Sequence, residues 1–87
     1  MPRLTLLHRP DCELCEEMLA ELARLRQRMP LPPLELIDVD GDRELARRHG
    51  LHVPVLLLDE TVVCRHRLDE AELRRLLRPH AGRAAPA

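Results

Sequence analysis

The apolar positions form short strand-like runs and two longer stretches at helical spacing, divided by breaks rich in Pro, Asp and Gly. Residues 3–7 (RLTLL) are apolar and stop at the turn signal Arg9-Pro10-Asp11, which predicts a first strand. From 12 to 28, Cys15, Met18, Leu19, Leu22 and Leu25 share one helical face that continues to Met29. Glu13, Glu16 and Glu17 crowd the start of that helix and Arg24, Arg26 and Arg28 its end, the order the helix dipole favours. Met29-Pro30-Leu31-Pro32-Pro33 then forces an extended connection.

Residues 34–39 (LELIDV) predict a second strand, and Asp40-Gly41-Asp42 a turn that caps a short helix over 43–49 with Gly50 at its C′ position. Residues 54–58 (PVLLL) are apolar on both alternating faces, which suits a central strand covered on both sides. Asp59-Glu60 turns this strand into a hairpin with 61–65. Asp69-Glu70-Ala71-Glu72 resembles a capping box and opens a last helix expected to end near Arg78, at Pro79. Residues 1–79 are then one domain, and 80–87 a flexible tail.

The order is βαβαββα. A right-handed first crossover makes strands one and two parallel, and the last hairpin is antiparallel. The expectation is an α/β fold, a four-stranded mixed sheet with helices on both faces.

Composition narrows this further. In 87 residues there is no Phe, Tyr or Trp, so a core must be built from Leu, Val, Ile, Met and Ala. Tight leucine packing is expected rather than a large ligand pocket. A net charge of −1 argues against nucleic acid or an anionic membrane as partner. All 14 basic residues are Arg, a compositional bias. Three cysteines do not make the disulfide framework of a small secreted protein. With neither a signal segment nor an apolar run approaching about 18 residues, a cytoplasmic protein is expected.

The candidate chemistry is Cys12-Glu13-Leu14-Cys15, placed between the first strand and the first helix. Two thiols at this spacing can close a small disulfide ring, and a helix N-terminus favours a thiolate. Metal sites use the same spacing. A structural zinc centre takes four ligands, however, and there is no second CxxC, while Cys64 and His66 are expected on the hairpin, off the dithiol end. Cys64 is read as a small core residue, and His49, His52, His66 and His80 as solvated.

In sum, a first strand leading into His8-Arg9-Pro10-Asp11-Cys12-Glu13-Leu14-Cys15, then Ile37-Asp38-Val39-Asp40 and Val53-Pro54-Val55, resembles the thioredoxin fold. Within it the chain looks like the small bacterial glutaredoxin-like proteins. The resemblance implies a thiol–disulfide oxidoreductase with Cys12 attacking and Cys15 resolving. It implies a cis Pro54, and Val53, Pro54 and Arg9 as the substrate-binding set. His8, Asp11 and Glu13 would tune the Cys12 thiol. Acidic neighbours limit that tuning, so a reducing dithiol is expected. Partners would be disulfide-containing proteins or small thiol substrates, plus a reductase or glutathione as reductant. No cofactor is expected to be tightly bound. Two features depart from glutaredoxins: Glu13-Leu14 replaces the common Pro-Tyr, and Val63-Cys64-Arg65-His66 the common Gly-Gly. The rival readings are a non-catalytic thioredoxin-fold binding module and, third, a metal or iron–sulfur carrier.

Overall fold

A computed structural model describes the backbone of residues 2–84 and the side chains of 2–78. The strands are β1 (Leu4–His8), β2 (Leu34–Asp38), β3 (Val55–Leu58) and β4 (Thr61–Arg65). The helices are α1 (Glu13–Arg28), α2 (Arg43–His49) and α3 (Glu70–Ala84), with single 3-10 turns at Val39–Gly41 and Gly50–His52. They make one four-stranded mixed sheet in the order β2-β1-β3-β4. β1 pairs parallel with β2 and antiparallel with β3, and β3 pairs antiparallel with β4.

The period-2 alternation of the strands divides the core into two layers. Leu4 and Leu6 of β1 join Leu56 and Leu58 of β3 on one face, packed with Met18, Leu22 and Leu25 of α1 and Leu73 and Leu77 of α3. Leu7 and Val55 point the other way, towards Val39, Ile37 and Leu45. The first layer is a leucine-rich core. The second is thinner, because none of the seven residues of α2 is buried. Coverage of the two faces is therefore unequal. A groove of about 420 Å³ runs along the thin side over Thr5, Leu7, Ile37 and Leu57, out to Arg3 and Asp59. Its Arg3–Asp59 end is the end of the sheet opposite to Leu7 and Val55.

Local chemistry closes each element. α1 carries Glu13 and Glu16 in its first turn and Arg26 and Arg28 in its last. The Arg26 guanidinium donates to the Leu31 and Pro32 carbonyls, both at 2.8 Å, and so anchors the proline linker to the helix end. α2 is capped by Asp42, whose carboxylate accepts from the Glu44 and Leu45 amides. α3 is capped by Asp69 through the Glu72 amide.

Three local features differ from the sequence reading. Gly50 is not a left-handed C′ residue: its φ of −57° and ψ of −32° are right-handed, and it passes directly into the second 3-10 turn. α3 does not stop at Arg78 but runs through Pro79 to Ala84. Proline holds φ at a helical value, so here it costs a backbone bond to the exposed Arg75 turn without ending the helix. The rest of the expected tail, 85–87, lies outside the described residues. Finally, the β3–β4 register shifts between Leu56 and Leu57, so Leu56 faces Cys64 while Leu57 faces Val62. Val63 is the extra residue of a β-bulge, and both it and Cys64 pack against the α1–α3 layer.

Leu56 is fully buried, whereas Leu36 on the outer strand β2 is 48% exposed. Leu56→Ala is expected to cost about 2–5 kcal/mol and Leu36→Ala less than about 1 kcal/mol, read from urea midpoints. Equal losses at the two positions would contradict this division of the core.

Candidate redox site

β1 delivers the chain to one end of the sheet at His8, and the connection to α1 turns sharply there. Asp11 makes the turn with φ of 55°, a left-handed conformation that Asp tolerates better than most residues. Cys12 follows as the N-cap of α1 with extended backbone. Its Sγ accepts from the Cys15 amide at 3.1 Å, which satisfies one of the unpaired N–H groups of the helix start. Cys12 and Cys15 are joined as a disulfide, with Cα atoms 5.2 Å apart, well within the span such a bond bridges. The two sulfurs differ in access. Cys15 is 2% exposed on the core side of α1, while Cys12 is half-buried at its tip.

The antiparallel pairing of Leu7 with Val55 brings the start of β3 to this same end. The Val53–Pro54 bond there is cis, and Pro54 is fully buried. Its carbonyl accepts from the His66 amide at 2.8 Å. His66 therefore belongs to the dithiol end of the sheet, contrary to the hairpin reading. β4 runs antiparallel to β3, so its last residues return to where β3 begins. The His66 and His52 rings lie 6.0 Å apart, and both residues are exposed.

The remaining expected residues sit as follows. His8 ends β1 opposite Asp38 in the parallel register, half-buried. Asp11, Glu13, Glu16 and Glu17 are all exposed around the start of α1. Arg9 is half-buried, and its Nε donates to Asp40 Oδ1 at 3.1 Å. Its guanidinium also lies over Gly50, where a Cβ would come within 2.7 Å of Nη2. Sequence reasoning overlooked Asp40 and Gly50 as neighbours of Arg9, since a lone Asp in a turn and a Gly after a helix both have ordinary local explanations.

His49 is not the solvated residue the sequence suggested. Its Nδ1 is buried and has no hydrogen-bond partner. Burial, followed by the charges of Arg48, Arg65 and His52, holds its pKa below the ordinary histidine value. Cys64 is half-buried, and burial pushes its thiol pKa up, with Asp69, Glu21 and Glu72 acting in the same sense and an Asp69 backbone hydrogen bond opposing. The side chain of His80 lies outside those described. Among the described residues, no three His, Cys, Asp or Glu side chains cluster to hold a metal ion. No described helix is long and apolar enough to cross a membrane.

Residues 3–78 match the family model of the glutaredoxin-like domain (DUF836). The structure is similar to that of a Nitrosomonas europaea protein solved by NMR in solution, at 32% identity and a TM-score of 0.77, covering 86% of this chain and 89% of that one. It is similar also to an X. campestris protein solved by X-ray methods, at 32% identity and a TM-score of 0.67, over 95% and 99% of the two chains. Fasciola hepatica thioredoxin shares the fold, at 20% identity and a TM-score of 0.54 over 91% and 80%. No curated protein matches the chain in sequence. A Cys12–Cys15 pair at disulfide distance in such a domain supports a redox-type function.

The lowered His49 pKa has a signed consequence for stability. A neutral His49 favours the folded chain above the ordinary histidine value, about 6.5, and this contribution is lost as pH falls through it towards the lower folded value. The urea midpoint of the native sequence should therefore fall more steeply on acidification than that of His49→Gln. Parallel pH profiles for the two would refute the assignment.

Proposed function

Because the chain belongs to the glutaredoxin-like domain family, we propose that it is a small thiol–disulfide oxidoreductase working through Cys12 and Cys15. The observation that carries this reading is the unequal access of the paired sulfurs, one at the tip of α1 and one on its buried side.

In the reduced protein, the start of α1 offers Cys12 a backbone donor, the Cys15 amide, and the positive end of the helix dipole. The Cys12 thiolate attacks one sulfur of a substrate disulfide. A Cys12–substrate bond forms, the substrate S–S bond breaks, and the other substrate sulfur leaves as a thiolate. Cys15 then gives up its proton and attacks the Cys12 sulfur. This releases the second substrate thiol and leaves the Cys12–Cys15 disulfide, so two electrons have passed to the substrate. Two equivalents of glutathione, or a flavin-dependent reductase, return them. Pro54 closes the site beside the dithiol, and the Val53 backbone pairs with an extended substrate segment.

The exposed carboxylates of Asp11, Glu13, Glu16 and Glu17 oppose the thiolate that the helix end favours. A reduced form that is little stabilised makes a reducing couple. The working place is the cytoplasm, where such a dithiol cycles against the thiol pool.

The test is a titration in defined glutathione buffers on a Cys64→Ser background, with the thiols trapped and weighed. A two-electron Cys12–Cys15 couple is expected at or below about −200 to −230 mV. Cys12→Ser should abolish turnover, and Cys15→Ser should accumulate the mixed disulfide. No disulfide in any buffer would remove the enzyme reading. A partner retained by Cys12→Ser without turnover in the native protein would favour a binding module.

A further inference from the structure

Three connections meet at the dithiol end of the sheet: β1 to α1, which carries Cys12; β2 to α2, which carries Asp40; and α2 to β3, which carries Gly50, Val53 and Pro54. One side chain touches all three. Arg9 leaves the first connection, its Nε donates to Asp40 in the second, and its Nη2 lies over the backbone of Gly50 in the third. A planar guanidinium can donate through Nε to one loop while its Nη2 lies beside another, whereas an ammonium is a single point.

Gly50 is the informative member of this set. With φ of −57° it needs no left-handed freedom, and its amide already caps α2 by donating to the Ala46 carbonyl. Any L-residue could adopt that backbone. What glycine leaves is space that the end of the Arg9 side chain occupies: a Cβ there would make the guanidinium shift. The guanidinium thus lies beside Gly50 in one loop while it is paired to a carboxylate from another.

We infer that Arg9 is a positioning residue, a clamp that holds the Val53–Pro54 segment in register with Cys12 by bridging Asp40 and the Gly50 backbone. The inference rests on the proposed oxidoreductase reading. It differs from the expected role of Arg9 as a substrate ligand, and the Nε–Asp40 bond within the protein is what favours it. Its effect falls on substrates that lie along Val53 while being attacked by Cys12, and spares reagents that need Cys12 alone. The pair is partly exposed, with 37% of the Arg9 side chain and 54% of that of Asp40 accessible. Global stability should therefore change little when it is broken.

The test compares two probes on the reduced protein with Cys64→Ser as background: a symmetric disulfide of a short cysteine-containing peptide, and iodoacetamide. Arg9→Ala, Asp40→Ala and Gly50→Ala are each expected to slow the peptide-disulfide reaction by about two- to five-fold, the range open to an exposed ion pair. Iodoacetamide alkylation of Cys12 should be unchanged. Gly50→Ala removes no charge and displaces the guanidinium alone, so Arg9→Ala/Gly50→Ala should be no slower than Arg9→Ala. A loss with Arg9→Ala but none with Asp40→Ala and Gly50→Ala would overturn the clamp and make Arg9 a substrate ligand. An equal loss with iodoacetamide would also overturn it, since Arg9 would then act on the thiol itself. If the background protein reacts with no disulfide at all, the functional reading falls separately. The clamp is then read from the backbone amide resonances of residues 50–53. These should move alike in Arg9→Ala and Asp40→Ala, and stationary resonances would overturn it.

Discussion

The antiparallel pairing of β1 with β3 is the constraint on which the rest of the molecule depends. Its register, Leu4 with Leu58 through Leu7 with Val55, sets the alternation that sends Leu6 and Leu56 into the α1–α3 layer and Leu7 and Val55 to the other. A slip by one residue would exchange the two faces and turn the leucine core towards the thin side. The same pairing decides what becomes neighbours in space. The end of β1 and the start of β3 coincide, so Cys12, twelfth in the chain, and Pro54, more than forty residues later, belong to one end of the sheet. The flanking strands add Asp40 and His66 to that end by their own directions, parallel for β2 and antiparallel for β4.

Much of this architecture was legible because the apolar pattern is strong where burial is strong. In α1, Cys15, Met18, Leu22 and Leu25 are all buried, as their helical spacing requires. The continuous apolar run of β3 reflects its inner position in the sheet. The features missed are those in which spacing and burial part company. The bulge at Val63 puts two consecutive side chains on one face, which no alternation rule can indicate. The continuation of α3 through Pro79 was invisible because proline reads as a stop, although its φ is helical and only the missing donor counts against it. Leu36 lies in the second predicted strand, but an edge strand has only one neighbour to shelter it.

The site was legible in part for a similar reason. Cys12 and Cys15 are close in sequence, so their spacing alone specifies a bridgeable pair. The contacts that surround them are long-range: Arg9 with Asp40 and Gly50, and His66 with Pro54. Each partner had a sufficient local reading as a turn residue, a helix cap or a solvated side chain. His49 illustrates the limit, since nothing next to it in sequence announces a buried Nδ1.

The unequal layers leave the two walls of the site differently held. The wall that carries Cys12 and Cys15 is part of α1, fixed by Met18, Leu22 and Leu25 in the main core. The facing segment from Asp40 to His52 is built on α2, which buries no residue of its own. Segments with few buried apolar contacts are in general less stable locally than the packed core. The protein thus joins a half packed in the main core, which carries the two sulfurs, to a half with less buried apolar surface. The packing around α1 does not depend on how firmly that second half is held.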